Sequence, residues 1–173
     1  MKTHTVTTYG INELTAVAKE QAIASHLDWN LQDSWWHCTY EDAEMIGLKI
    51  TSSDIYRNEI TGELLKDAEE VARLIIESHG EECETYRLAK AFEARIETRR
   101  CAHDWQEDGA DEDWSLTLEQ EGEAFLDGML KVYASILSRE HDYLSGDEAI
   151  TESFEANETQ FLSDGRLAPS YLQ

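Results

Sequence analysis

GLKITSSDIYRNEITGELLKDAEEVARLIIESHG, residues 47–80, changes its periodicity half-way along and thereby sets the fold class. From Leu48 to Tyr56 the residues alternate, with Leu48, Ile50 and Ser52 on one side, as in a half-buried strand. Residues 57–65 carry Ile60 and Leu64 around Gly62 and predict a second strand, paired with the first as a hairpin. After Asp67, which can cap a helix, Ala68, Val71, Ala72, Leu74, Ile75 and Ile76 fall at helical spacing, and Gly80 ends the run.

On both sides of this stretch helical spacing dominates. Residues 12–27 predict a helix with Asn12 as its N-cap and Leu14, Val17, Ala18, Ala22 and Ile23 on one face. A second helix is expected from Asp33 or Ser34 to Gly47, with Trp36 and Tyr40 joining Ala43 and Ile46 in the core. Residues 83–100 predict another, carrying Tyr86, Leu88, Ala89, Phe92 and Ile96. Its basic last turn, Arg95, Arg99 and Arg100, suits the helix dipole. Residues 102–115, AHDWQEDGADEDWS, have no period and read as an acidic loop. A long helix follows over 116–144, its seam marked by Leu118, Phe125, Leu126, Met129, Tyr133, Ile136, Leu137 and Leu144. Gly122 and Gly128 weaken that helix and point to close packing. The last helix, 147–157, turns Ile150 and Phe154 inward. A tail over 158–173 bends at Asp164-Gly165 and docks by its aromatics. The expected fold is α+β and predominantly helical, about six helices with a small two-stranded antiparallel hairpin. It forms a single domain over 1–173, because no repeat or linker divides the chain.

Charge is the unusual property: 37 acidic residues stand against 14 lysines and arginines, a formal charge of -23. Self-repulsion on that scale opposes compaction, and solubility alone needs only about 2 to 8 units in a small domain. The excess is uneven. Residues 1–100 hold 19 acidic and 11 basic residues; residues 101–173 hold 18 and 3, a local charge of -15. A strongly basic partner fits this distribution, and nucleic-acid-binding proteins are the commonest such partners. Direct binding of nucleic acid is not expected, since displacing counterions from phosphates takes clustered Lys and Arg.

No motif supports enzyme chemistry or a cofactor. GxSxG, the P-loop, GxGxxG, HExxH and CxxC are all missing, and carboxylate pairs are too abundant to single out an acid and a base. Residues 104–113 fit an EF-hand only at Asp104, Asp108 and Gly109, so no metal site is expected there. The fragments His37-Cys38, His79 with Cys83, and Cys101 with His103 lack the paired spacings of a zinc site. A Cys/His-dependent or metal-dependent enzyme is the weaker alternative. Three widely spaced cysteines suit a reducing cytoplasm. The N-terminal MKTHTVTTYGINEL lacks an apolar stretch for a signal peptide, and no segment is apolar enough for a membrane span.

Glu107, Asp108, Asp111, Glu112 and Asp113, followed by Trp114, Glu119, Glu121 and Glu123, are therefore the expected partner-binding residues. Carboxylates three or four apart on one helix stand about 5–6 Å from each other. That is close to the roughly 7 Å between phosphates along a DNA strand, so such a run can occupy a nucleic-acid channel as a DNA mimic. Trp105 and Trp114 flank the loop and either pin its ends or meet the partner.

Residues 41–52 (EDAEMIGLKITS), 79–86 (HGEECETY) and 143–150 (YLSGDEAI), with Ala156-Asn157-Glu158 and Asp164-Gly165-Arg166, carry a resemblance. In that order, over nearly the whole chain, they resemble a family of acidic proteins of bacteriophages and prophages. Some of its members are labelled antitoxins of toxin–antitoxin systems. The resemblance implies a phage product acting in the cytoplasm of the bacterial host. Small acidic phage proteins commonly inhibit host defence proteins, so it also implies an anti-CRISPR or antirestriction inhibitor acting on a CRISPR effector or restriction enzyme. The alternative is an antitoxin-like protein neutralising a basic toxin. It assigns no catalytic residue, and no oligomeric state follows from it.

Overall fold

The computed structural model describes residues 6–57, 59–103 and 110–169. Among them lie six helices, α1 (Ala16–Ala24), α2 (His37–Met45), α3 (Ala68–Ser78), α4 (Glu84–Ala102), α5 (Ala110–Leu144) and α6 (Asp147–Ala156). Strands β1 (Leu48–Asp54) and β2 (Glu59–Leu64) pair as an antiparallel hairpin, so the fold is α+β and predominantly helical. The chain groups into two compact units, 36–138 on one hand and residues up to 35 with those from 139 on the other.

In the 36–138 unit, β1 and β2 align Leu48 with Leu64 and Ile50 with Gly62. Leu48 and Ile50 are buried while Lys49 points to solvent, as the alternation requires. The register then shifts between Ile50 and Ser52, leaving Thr51 as a bulge. That extra residue moves the strand's phase by one. Ser52, expected beside Ile50, is exposed, and half-buried Ser53 accepts a 2.9 Å hydrogen bond from Tyr40. Gly62 is demanded by its surroundings: a Cβ there would lie 2.6 Å from the Lys49 carbonyl oxygen and 2.9 Å from Leu130 Cδ2.

α3 turns Val71, Ala72 and Ile75 inward. Asp67 precedes it without a side-chain capping bond, so its carboxylate, with Glu69 and Glu70, acts on the helix N-terminus through charge. α4 buries Thr85, Ala89, Phe92 and Ile96, one per turn, and Phe92 stacks on Phe125 of α5 at 4.5 Å. Ala89, Phe92, Ile96 and Phe125, with Val71, Ala72, Ile75, Ala43, Ile46, Met129 and Tyr133, form one continuous core. Trp36 does not join it. α2 begins only at His37 because Asp33 adopts a left-handed backbone (φ 68°), and Trp36 is left 40% exposed.

In the other unit, the helix expected over 12–27 breaks in two. Residues Ile11–Glu13 make a single 3-10 turn, Leu14 is extended, and Thr15 caps α1 by accepting from the Ala18 amide at 3.3 Å. The extended Leu14 packs against a core of Ile11, Ala22, Ile23, Ile150, Phe154 and Phe161. The tail folds back through paired bonds between Tyr9 and Phe161, each 2.9 Å, and Phe161 is fully buried. At its turn Gly165 has φ +86°, and a Cβ there would meet the Ala18 carbonyl oxygen at 2.1 Å.

Candidate functional site

Of the loop expected over 102–115, residues 110–115 are helical instead. Ala102 ends α4, and α5 already begins at Ala110, so Asp111, Glu112 and Asp113 make up its first turn. Carboxylates belong there, because the unbonded amides and helix dipole present positive potential. Glu107, Asp108 and Trp105 lie outside the described residues. Trp114 is half-buried against the core of its unit. His103 packs on its ring at 5.5 Å and the Arg100 guanidinium lies 5.6 Å from its centroid. Trp114 therefore fixes the start of α5 from inside.

With about 100° per residue, Glu112, Glu119 and Glu123 fall on one stripe of α5, while Asp111 and Asp113 turn away to either side. The rise of about 1.5 Å per residue separates Glu119 from Glu123 by roughly 6 Å and Glu112 from Glu119 by roughly 10 Å. Asp111, Glu112, Glu119 and Glu123 are exposed and form no ion pair with any described residue. Asp113 lies 3.8 Å from His103 Nδ1, whose Nε2 donates to the Ala110 carbonyl at 2.9 Å.

Glu121 does not belong with them. It is only 8% exposed and accepts from Arg99 Nε at 2.6 Å and Arg95 Nε at 3.0 Å. Burial alone would push its carboxyl up, but the hydrogen bonds and charges of the two arginines outweigh this and hold it below the ordinary glutamate value. Its charge is spent inside the unit, joining α5 to the end of α4.

Most of the cations also have an acidic neighbour, in pairs that lie at the surface and not in the interior. Lys49, Lys66, Lys90, Lys131, Arg57, Arg73, Arg87, Arg100 and Arg166 each lie within ion-pair distance of a carboxylate. A surface whose cations are already engaged has little with which to displace counterions from phosphate.

One constellation resembles a nucleophile–base–carboxylate set. His79 Nδ1 is hydrogen-bonded to Thr85 Oγ1 at 2.7 Å, its Nε2 is 3.8 Å from Asp42 Oδ1, and Asp42 Oδ2 accepts from the Tyr133 hydroxyl at 2.7 Å. Thr85 is only 4% exposed, out of a substrate's reach, and 3.8 Å is too long for a hydrogen bond. The cluster ties α2, α3, α4 and α5 together. In the sequence His79 stands near Cys83 alone, and nothing local links it to Asp42 or Tyr133, which are distant in the chain. Among the described residues no group of three or more His, Cys, Asp or Glu side chains could hold a metal ion, and no helix is long and apolar enough to cross a membrane.

Glu119 also overhangs a groove of about 1070 Å³ formed by α3, α4 and α5 within the 36–138 unit. Comparison with known proteins gives no matching family model, no matching curated protein and no matching solved structure.

Proposed function

We propose that this chain is a stoichiometric binding protein for a strongly basic, nucleic-acid-handling host protein, a phage-encoded inhibitor of anti-CRISPR or antirestriction type. The observation that carries this is the sorting of its charges. Arginines and lysines are largely engaged within the fold, whereas Asp111, Glu112, Glu119 and Glu123 stay exposed without a cation among the described residues. Undischarged carboxylates along one helix steer and hold a cationic surface. The spacing of roughly 10 and 6 Å along Glu112, Glu119 and Glu123 brackets the phosphate repeat, so these three can stand where a DNA backbone would lie.

The test is DNA cleavage by purified CRISPR effectors and restriction endonucleases, titrated with the chain. Inhibition should saturate near one chain per enzyme and should be relieved by Asp111→Asn, Glu112→Gln, Glu119→Gln and Glu123→Gln together. Rescue of growth from a basic toxin, with no nuclease inhibited, would replace this function by that of an antitoxin. Inhibition that survives neutralisation would remove the stripe's role.

A further inference from the structure

The groove between α3, α4 and α5 differs in character from the stripe. Its floor is apolar, with half-buried Leu64, Ala68 and Leu118 above the core residues Phe92 and Ile96. Six carboxylates rim it, Asp67, Glu69, Glu70, Glu93, Glu97 and Glu119, against two guanidiniums, Arg73 and Arg100. Arg100 shows how a guanidinium is seated here: one nitrogen lies 2.6 Å from Glu69, another 3.4 Å from Glu97, and its face lies over Trp114. Gly122 holds the groove open. It is a poor helix former in mid-helix, and with no side chain of its own it leaves the space facing Ala68 unfilled.

From the mixed lining we infer that the groove takes an amphipathic helix of the basic partner, its leucine-like stripe on the floor and its arginines or lysines on the carboxylate rim. Charge complementarity sets the sign: Glu69 and Glu97 are paired with Arg100, Glu70 with Lys66 and Glu93 with Lys90, while Asp67 and Glu119 form no ion pair with a described residue and stay open to a cation of the partner. The apolar floor sets the amphipathicity, because a bare polycation would leave it uncovered. Helical walls favour a helix, which lays one apolar stripe into such a groove while its cationic flanks reach outward. This inference rests on the proposed function and names the segment of the partner that is gripped.

The test is NMR titration of the isotope-labelled full chain with three probes. These are a designed helical peptide with leucines on one face and arginines on the other, a scrambled peptide of the same composition, and spermidine. We expect the helical peptide to bind at least about tenfold tighter than the scrambled one, with shifts centred on Ala68, Leu118 and Gly122. Two variants should lose about tenfold or more: Gly122→Leu, which fills the groove and melts no lower than wild type, and Glu119→Lys. Glu44→Lys, at an exposed position on α2, makes the same charge change outside both the groove and the stripe and should cost no more than about twofold. If the scrambled peptide binds equally well and Glu44→Lys weakens it as much as Glu119→Lys, the groove inference falls while the basic-partner function stands. Spermidine matching the helical peptide would overturn the inference in favour of a small polycation. Failure of all three probes to bind at low salt would overturn both.

Discussion

Tyr133, fully buried on α5, donates a 2.7 Å hydrogen bond to the carboxylate of Asp42 on α2, and His79 approaches the same carboxylate at 3.8 Å. Removing the donor leaves Asp42 able to turn to water, so Tyr133→Phe should cost only about 1 kcal/mol. Removing the acceptor strands a buried hydroxyl, and Asp42→Ala should cost about 2 kcal/mol or more. Urea unfolding measures both, and the order of the two is the diagnostic result.

Tyr133 also sets an alkaline limit. Burial, then the hydrogen bond and charge of Asp42, raise its ionisation far above the ordinary tyrosine value of 10.0. A raised value in the fold gives stability that is intact below pH 10 and declines as pH rises beyond it, because only the unfolded chain then loses the proton. Tyrosinate absorbance should therefore show one tyrosine that ionises only as the protein unfolds.

Glu121 has the opposite sign. Its carboxyl is held below the ordinary value of 4.5, so its contribution is present above pH 4.5 and disappears as pH falls through the depressed value. Glu121→Gln should cost about 1–2 kcal/mol at neutral pH, discounted because Arg95 and Arg99 are about half exposed. The difference from wild type should shrink as pH falls below 4.5 and through the depressed value. Glu119→Gln, two residues away, should stay within about 0.5 kcal/mol throughout.

Two glycines should respond oppositely to alanine. Gly122 is helical, and a Cβ there reaches Ala68 at an ordinary 3.5 Å, so Gly122→Ala should stabilise by about 0.5–1 kcal/mol. Gly165 has φ +86° and its added carbon would strike the Ala18 carbonyl oxygen, so Gly165→Ala should destabilise by at least about 2 kcal/mol. Thermal melts of the two variants decide this.

A net charge of -23 leaves the fold under self-repulsion that salt screens. Raising sodium chloride from about 0.02 M to about 0.5 M should raise the melting temperature by several degrees, most of it below about 0.2 M, where the Debye length changes fastest.

How much of this was legible follows from the range of each signal. Period and punctuation placed β1, β2, α3, α4 and α6 to within a residue or two, because Gly62, Asp67, Gly80 and Asp147 act on their own neighbours. The bulge at Thr51 was hidden, since it depends on how β2 pairs. The breaks at Leu14 and Asp33 were hidden too, since packing of Leu14 and a left-handed backbone at Asp33 override the helical spacing around them. α5 reaches back to Ala110 because Trp114 packs against the core and beside Arg100 and His103, residues the loop reading kept apart. The acidic excess was plain in composition. Which carboxylates remain undischarged was not: Glu121 looks like Glu119 until Arg95 and Arg99, 26 and 22 residues earlier, are folded beside it.

The most direct measurement is calorimetric affinity for a basic target at about 0.05 M and about 0.5 M salt. It should be made for wild type and for the chain neutralised at Asp111, Glu112, Glu119 and Glu123. We expect wild-type affinity to fall by about a hundredfold or more between the two conditions, and the neutralised chain to bind weakly with a much flatter salt dependence. Equal affinity at both salt concentrations, unchanged by neutralisation, would contradict the claim that these carboxylates are aimed at a cationic surface.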